Sequence, residues 1–255
     1  MAWFMSKANR IVKEWDVASE SWIDFVRQGK DYFRDELNNP GIFYLIRNVK
    51  GLSTLDLACG EGYNTRLLAN KGAKVVGIDS SKKLIASAIS QEEKDHLGVE
   101  YHVLDSKDLS RFSSESFDLV TCFMALMDIK GYDKTIIEIA RVLKNDGRFV
   151  FSITHPCFKY DSVNQELERV SKYFEARAEK VSWNMERLLK SFKTTSFHRT
   201  LTDYSNTLNI HGFLIRRLME PKPTKNGLKK FPPLKQVLMT PHSLIIETVK
   251  VCMLK

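Results

Sequence analysis

Residues 54–68 read TLDLACGEGYNTRLL. An acid on an apolar run, Asp56, is followed by Gly60 and Gly62 with Glu61 between them, and then by a helix-like pattern. A strand that turns at once into a helix needs torsions that side chains obstruct; glycine relieves this and lets a ligand approach the main chain. The pair predicts a ligand resting at the start of the next helix. A dinucleotide brings a pyrophosphate, whose fingerprint wants a third glycine, and that position holds Thr65. Carboxylates flanking the turn repel a pyrophosphate and attract a cation. Asp79 follows 17 residues after Gly62 at the end of a second apolar run, and Asp105 ends a third. An acid at the first place can accept from both ribose hydroxyls, and one at the second from an adenine amino group. The chemistry implied is an adenosine carrying positive charge and no phosphate, which S-adenosylmethionine satisfies with its sulfonium and ammonium.

These residues need a framework that brings strand ends together. Residues 53–58, 73–79, 99–105, 116–126 and 147–154 read as strands, with helices over 64–71, after Ser80 or Ser81, and over 132–144. Strands separated by helices of this length predict a parallel sheet covered on both faces, with ligands at its carboxyl edge. Residues 6–49 carry apolar side chains at three- and four-residue steps and read as helices, broken by NNPG at 38–41. Residues 160–192 are polar and read as a helical insertion. A last helix spans 200–212, and the runs 213–220 and 242–254, with no helix between them, predict an antiparallel pair. The expected organisation is an N-terminal helical lid over 1–50 and a domain over 51–255 with a helical insertion at about 156–195, forming one structural domain.

The stretches LDLACGEGYNTRLLA and VVGIDSSKKLIASA resemble the first two motifs of class I S-adenosylmethionine-dependent methyltransferases. FDLVTCFMALMDI and EIARVLKNDGRFVFSITHPCF are similar to the later motifs, in the methyltransferase domain type 11 branch. The match is good over about residues 40–156. The resemblance implies a Rossmann-like α/β fold, a seven-stranded sheet in the order 3-2-1-4-5-7-6 with strand 7 antiparallel. It also implies S-adenosylmethionine as cofactor. Asp56, Ala58, Gly60 and Gly62 would line the methionine moiety, with Asn64 grouped among the cofactor contacts. Asp79 would hold the ribose with Ser80 beside the adenine, Asp105 and Ser106 would sit near the adenine amino group, and Phe123 and Met124 would close over the cofactor. Ala58 departs from a frequent glycine by one methyl group.

Methyl transfer is an in-line displacement, so the protein mainly aligns the partners, and a hydroxyl acceptor profits from a general base. His155, following the fifth strand, is the candidate base. Trp15 and Tyr32 on the N-terminal helices, Met127 after the fourth strand, Trp183 in the insertion and His198 before the last helix are candidate acceptor contacts. Each of these also has a structural reading, as packing or capping. The leading expectation is a small-molecule N- or O-methyltransferase. Others are a methyltransferase acting on RNA, such as tRNA, or on protein, and a non-catalytic cofactor-binding protein. The absence of an (N/D)PP(Y/F) tetrapeptide after the fourth strand disfavours base-amino methylation of nucleic acid, and no polyamine pocket for an aminopropyl transferase is evident.

The charge distribution bears on the RNA reading. Residues 1–155 hold 21 basic against 22 acidic side chains, residues 156–255 hold 18 against 9, and the net charge is +8. The excess is densest in RRLMEPKPTKNGLKKFPPLK at 216–235, which reads as a solvated loop or a contact for an anionic partner. Four cysteines without a CxxC pair predict neither a zinc site nor a disulfide framework. No apolar run suits a signal peptide or a membrane span, so a cytoplasmic protein with no bound metal and no membrane partner is expected.

Overall fold

The computed structural model describes residues 7–161, 166–185 and 187–251. The chain opens with α1 (Lys7–Arg27), then a π-helical turn (Arg34–Asn38) running into α2 (Asn39–Ile46). The alternating part follows: β1 (Ser53–Leu57), α3 (Tyr63–Asn70), β2 (Lys74–Asp79), α4 (Lys82–Asp95), β3 (Glu100–Val103), β4 (Phe117–Phe123), a 3-10 turn (Leu126–Asp128), α5 (Tyr132–Val142) and β5 (Leu143–Thr154). Next come β6 (Phe158–Asp161), β7 (Glu166–Arg169), β8 (Arg177–Trp183) and β9 (Phe192–His198). The chain closes with α6 (Leu201–Ile210), β10 (Phe213–Met219), α7 (Lys225–Lys230), a 3-10 stretch (Pro232–Leu238) and β11 (Ser243–Lys250).

Seven strands form one sheet in the order β10-β11-β5-β4-β1-β2-β3. β1 to β5 run parallel, and β11 is antiparallel to both β5 and β10, so the expected order holds with β10 and β11 as the sixth and seventh strands. The two-residue period of a strand divides the core. Phe149, Phe151 and Ile153 of β5 join Leu244 and Ile246 of β11 on one face, while Val150 and Ile245 pack on the other with Ile42, Ile46 and Leu68. Local signals set the helix ends. Ser81 caps α4 by accepting from the Leu84 N–H at 3.2 Å, and Thr200 and Asp203 form a reciprocal capping box at α6.

Three expectations are corrected. The insertion is not helical: β6 pairs with β7 and β8 with β9 as two antiparallel hairpins. Polarity suggested a helix, but Val181, Trp183, Phe192, Thr194, Thr195 and Phe197 are β-favouring types, and Trp183 stacks across the pair on Phe192 with centroids 5.6 Å apart. NNPG does not break the helix. Pro40 falls in the first turn of α2, where a missing N–H costs nothing; the chain turns earlier, at Gly29 with φ +64°. The lysine-rich segment is not a loop. Thr224 caps α7, its N–H donates to the Glu36 carbonyl at 2.8 Å, and Leu234 and Val237 are buried against Leu37.

Candidate functional site

The carboxyl ends of β1 to β5 open into a cavity of about 940 Å³. α1 covers it from one side and the β8–β9 hairpin from another, so that Trp15, Trp22 and Trp183 line it together with the strand ends. Asp56, Ala58, Gly60, Asn64, Asp79, Ser80, Asp105, Ser106, Phe123 and Met124 all line this cavity, as do His155, Met127, His198, Trp15 and Trp183. The topology thus brings fifteen of the seventeen sequence-predicted residues to one chamber; Gly62 and Tyr32 lie outside its lining.

The glycine corner divides its tasks. Gly60 has φ +58° with no atom within 4 Å of where a Cβ would stand, which leaves its backbone open to a ligand. Gly62 has φ +83°, begins α3, and a Cβ there would meet the Tyr101 hydroxyl at 2.4 Å. It is required by packing beneath the corner. Ala58 sits at φ +56°, a left-handed conformation that costs an L residue about 1–2 kcal/mol.

The acids are less uniformly charged than their spacing implied. Asp56 is 1% exposed, its carboxylate accepts from Thr65 Oγ1 at 2.6 Å and Thr121 Oγ1 at 2.9 Å, and burial pushes its pKa up to about 7. Thr65, in the place of a third glycine, is therefore a partner of Asp56. Glu61 is buried between Arg27 at 2.9 Å and Arg66 at 3.0 Å, so its charge is answered by the protein and is not offered to a ligand, contrary to the sequence reading. Asp79 accepts the backbone N–H of Gly60 at 2.9 Å on one oxygen and that of Ser81 at 2.8 Å on the other; each oxygen keeps a further lone pair. Asp105 is half exposed and paired with Lys107 at 3.1 Å, and the Ser106 hydroxyl bonds Thr135 at 2.9 Å.

His155 does not have the geometry of a base. Its Nδ1 accepts the Cys157 N–H at 3.1 Å, which places the ring proton on Nε2, and Nε2 donates to Glu220 at 3.0 Å. Both nitrogens are committed, and burial lowers the pKa against the pull of Glu220. The His198 Nε2 donates to the Tyr173 carbonyl at 2.7 Å. Tyr32 stacks on Phe231 with centroids 4.9 Å apart, and Arg187 lies 4.5 Å from its ring, so it belongs to the packing of the C-terminal segment. The Trp183 Nε1 donates to Thr194 at 2.9 Å, and its ring packs edge-on against Trp22 at 5.4 Å.

Four cavity residues escaped the sequence reading. Asp128 ends the 3-10 turn after β4; burial pushes its pKa up to about 7, against a hydrogen bond from Ser196 and the charge of Arg199. Arg199 staples this turn, donating to the carbonyls of Leu126 at 3.2 Å and Ile129 at 2.6 Å while lying 4.0 Å from the Tyr132 ring. The signal for Asp128 was an acid in the otherwise apolar FMALMDI. Arg34, at the start of the π-helical turn, and Asp31, three residues before it, line the cavity, and their signal was an unlike-charge pair three residues apart. Among the described residues no cluster of side chains suits a metal ion, and no helix is long and apolar enough to cross a membrane.

Residues 55–151 match the family described as methyltransferase domain. An uncharacterized protein of Haemophilus influenzae is 28% identical over 201 residues, 72% of this chain and 76% of that one. A ubiquinone biosynthesis O-methyltransferase of Coxiella burnetii is 32% identical over 111 residues, and the match spans 44% of this chain and about half, 47%, of that protein. Among solved structures, an S-adenosylmethionine-dependent methyltransferase from Mesorhizobium loti superposes with a TM-score of 0.69 at 26% identity, covering 83% of this chain and 96% of the other.

Proposed function

Since the chain is a class I S-adenosylmethionine-dependent methyltransferase with S-adenosylmethionine as its cofactor, we propose that it methylates an oxygen or nitrogen of a small molecule held between α1 and the β8–β9 hairpin. The observation that carries this reading is the roof. The cavity of about 940 Å³ is lined by Trp15, Trp22 and Trp183 as well as Asp128, a volume near the upper end of the range of roughly 300–1,000 Å³ for small-molecule pockets. The name of the Coxiella relative favours oxygen as the acceptor atom.

The residues present fit the cofactor. The backbone at Gly60 is open to close approach, and Asp79 keeps lone pairs for the ribose hydroxyls. Ser80, Asp105 and Ser106 would take the adenine, Asp56 and Asn64 the amino-acid tail, and Phe123 and Met124 would close over the cofactor; all of them line the cavity. When bound, the cofactor supplies a methyl group already activated on a sulfonium. The chain's own task is then to align the acceptor, exclude water and handle one proton. The lid and hairpin exclude water. A carboxylate oxygen of Asp128 takes the proton of an acceptor hydroxyl, and a pKa near 7 suits a base working at neutral pH. Ser196 and Arg199 hold that carboxyl in place. Met127, Trp15, Trp183 and His198 shape the acceptor end.

The RNA reading draws on the 18 basic against 9 acidic side chains of residues 156–255. One assay separates the two. The purified protein is incubated with methyl-labelled S-adenosylmethionine and, in parallel, bulk tRNA, total protein, the low-molecular-weight fraction of a cell extract, and panels of phenols and amines. Label in the small-molecule fraction or the panels is the expected result. Label confined to tRNA or protein overturns the proposal.

A further inference from the structure

The lysine-rich segment folds onto the body of the enzyme with its charges turned outward. α7 sits so close to the π-helical turn that a Cβ at Gly227 would meet the Glu36 Cβ at 2.5 Å. The Thr224 hydroxyl and the Asn226 amide donate to the two oxygens of Glu36, and Phe231 stacks on Tyr32 with centroids 4.9 Å apart. The 3-10 stretch that follows sorts its side chains by threes, because residues i and i+3 eclipse in such a helix. Leu234 and Val237 form the buried row, and Pro232, Lys235 and Leu238 form an exposed one. On α7 the exposed positions are Lys225, Asn226, Lys229 and Lys230. The cations thus stand on a fixed face of the fold.

Methyl transfer makes no use of this face. Residues 221–246 contain no acidic side chain. Lys222, Lys225, Lys229, Lys230 and Lys235 are exposed, and none forms an ion pair among the described residues. Lys225 and Lys229 are four residues apart on α7, where like charges destabilise a helix. Next to these cations in the chain are Leu238, 50% exposed, and Met239, 88% exposed. Lysines beside protruding aliphatic side chains complement a surface with anionic headgroups above hydrocarbon. The headgroups attract the ammonium groups, and the acyl boundary takes the apolar tips. A nucleic acid offers the phosphates but no apolar phase for Leu238 and Met239. Residues 221–246 also carry no arginine and no exposed aromatic ring on which bases could stack.

We propose that this face docks the protein on an anionic lipid bilayer, with the lysines against the headgroups and Leu238 and Met239 in the boundary beneath them. Such a surface lies on a bilayer without crossing it and needs no apolar span. The 3-10 stretch packs against β7, whose Arg169 lines the cavity, so docking brings the bilayer beside the outer wall of the chamber.

Cosedimentation of the whole protein with large vesicles tests this and needs neither cofactor nor acceptor. Vesicles of phosphatidylcholine alone are compared with vesicles holding phosphatidylcholine and phosphatidylglycerol in equal parts. The wild type is expected to bind only the anionic vesicles, and less tightly as salt is raised. The triple variant Lys225→Gln, Lys229→Gln, Lys230→Gln is expected to bind them about 100-fold more weakly, from roughly fivefold per lysine. The double variant Leu238→Ser, Met239→Ser is expected to lose about 10-fold. All five side chains are exposed and outside the cavity lining, so the melting temperature and S-adenosylhomocysteine affinity should not change in either variant. Wild-type protein that ignores the anionic vesicles, or binds both kinds equally, overturns the proposal. So does binding that either variant leaves intact. Binding to bulk tRNA that the triple variant abolishes, with vesicles ignored, assigns the face to nucleic acid instead.

Discussion

Gly60 and Gly62 are spelled alike in the string GEG but serve different ends, and substitution separates them. Gly60→Ala places a methyl group in open space, at the cost of the positive φ alone, about 1–2 kcal/mol. Gly62→Ala adds a collision with the buried Tyr101 ring, so urea denaturation is expected to show a distinctly larger loss for Gly62→Ala than for Gly60→Ala. Binding of S-adenosylhomocysteine should show the reverse order among variants that remain folded, because only Gly60 faces the cavity. Asp128 admits a kinetic test. Asp128→Asn is expected to lower kcat for a hydroxyl acceptor by about 10²- to 10⁴-fold, the usual contribution of a general base, with S-adenosylhomocysteine affinity unchanged. The rate should rise with pH through about 7 in the wild type, as the carboxyl ionises, and that rising limb should vanish in the variant. A limb that persists in Asp128→Asn assigns the titration elsewhere. His155, reached by motif position alone, shows why such geometry must be seen: its place after β5 was legible, but the Cys157 N–H and Glu220 that occupy its nitrogens were not.

At the scale of elements, α1 acts as a strap between two halves of the chamber. On the cofactor side, the Ser81 hydroxyl donates to Asp16 at 2.6 Å, and Arg27 reaches Glu61 at 2.9 Å and the Ser87 hydroxyl at 2.9 Å. On the hairpin side, Glu14 pairs with Lys180 and accepts from Thr195 at 2.8 Å, and Trp15 packs edge-on against Trp183 with centroids 6.3 Å apart. Lys180, Thr195 and Arg10 also hold the Glu14 pKa low against its burial. Glu14→Gln is thus expected to loosen the hairpin from α1. The readout is faster tryptic cleavage within residues 177–193 and a weaker acceptor KM, with S-adenosylhomocysteine affinity retained. Equal proteolysis of the two proteins would rule out the strap. The hairpins themselves were misread because polar strands on a cavity wall lack the apolar alternation that marks a core strand. Their β-branched and aromatic content was present, but nothing local distinguished a two-stranded ribbon from a surface helix.

For the molecule as a whole, buried titratable groups set a direction for stability against pH. Asp56 and Asp128 titrate near 7 in the folded chain and near 3.8 when unfolded. Between those values the folded state holds protons that the unfolded state has released, so their contribution falls as pH rises and is level above about 7. His242, buried and driven down to about 4 by burial and by His155, acts oppositely: its contribution rises from about pH 4 to 6.5. The two acids outweigh the histidine over the shared window, and above about 6.5 His242 no longer opposes them; Asp31 and Asp79, also raised by burial, act in the same direction as the two acids. Melting of the ligand-free protein is therefore expected to occur at lower temperature at pH 8 than at about pH 5.5, with a smaller difference in Asp128→Asn. A melting temperature that climbs from pH 5.5 to 8 contradicts the assignment of these burials.

The parallel sheet, the carboxyl-edge location of the site and the cofactor class were legible in the residues themselves, and the order of the strands came with the family resemblance. Strand and helix periods, turn glycines and terminal acids are local, and right-handed crossovers leave few ways to assemble them. Which acids keep their charge was decided only in three dimensions. Ionisation depends on burial and on partners distant in the chain, as with Glu61 between Arg27 and Arg66. The same holds for the acceptor side of the chamber. Asp128, Ser196 and Arg199, and likewise Arg34 with the corner at Gly60, meet only because the folded chain carries separate segments to one edge of the sheet.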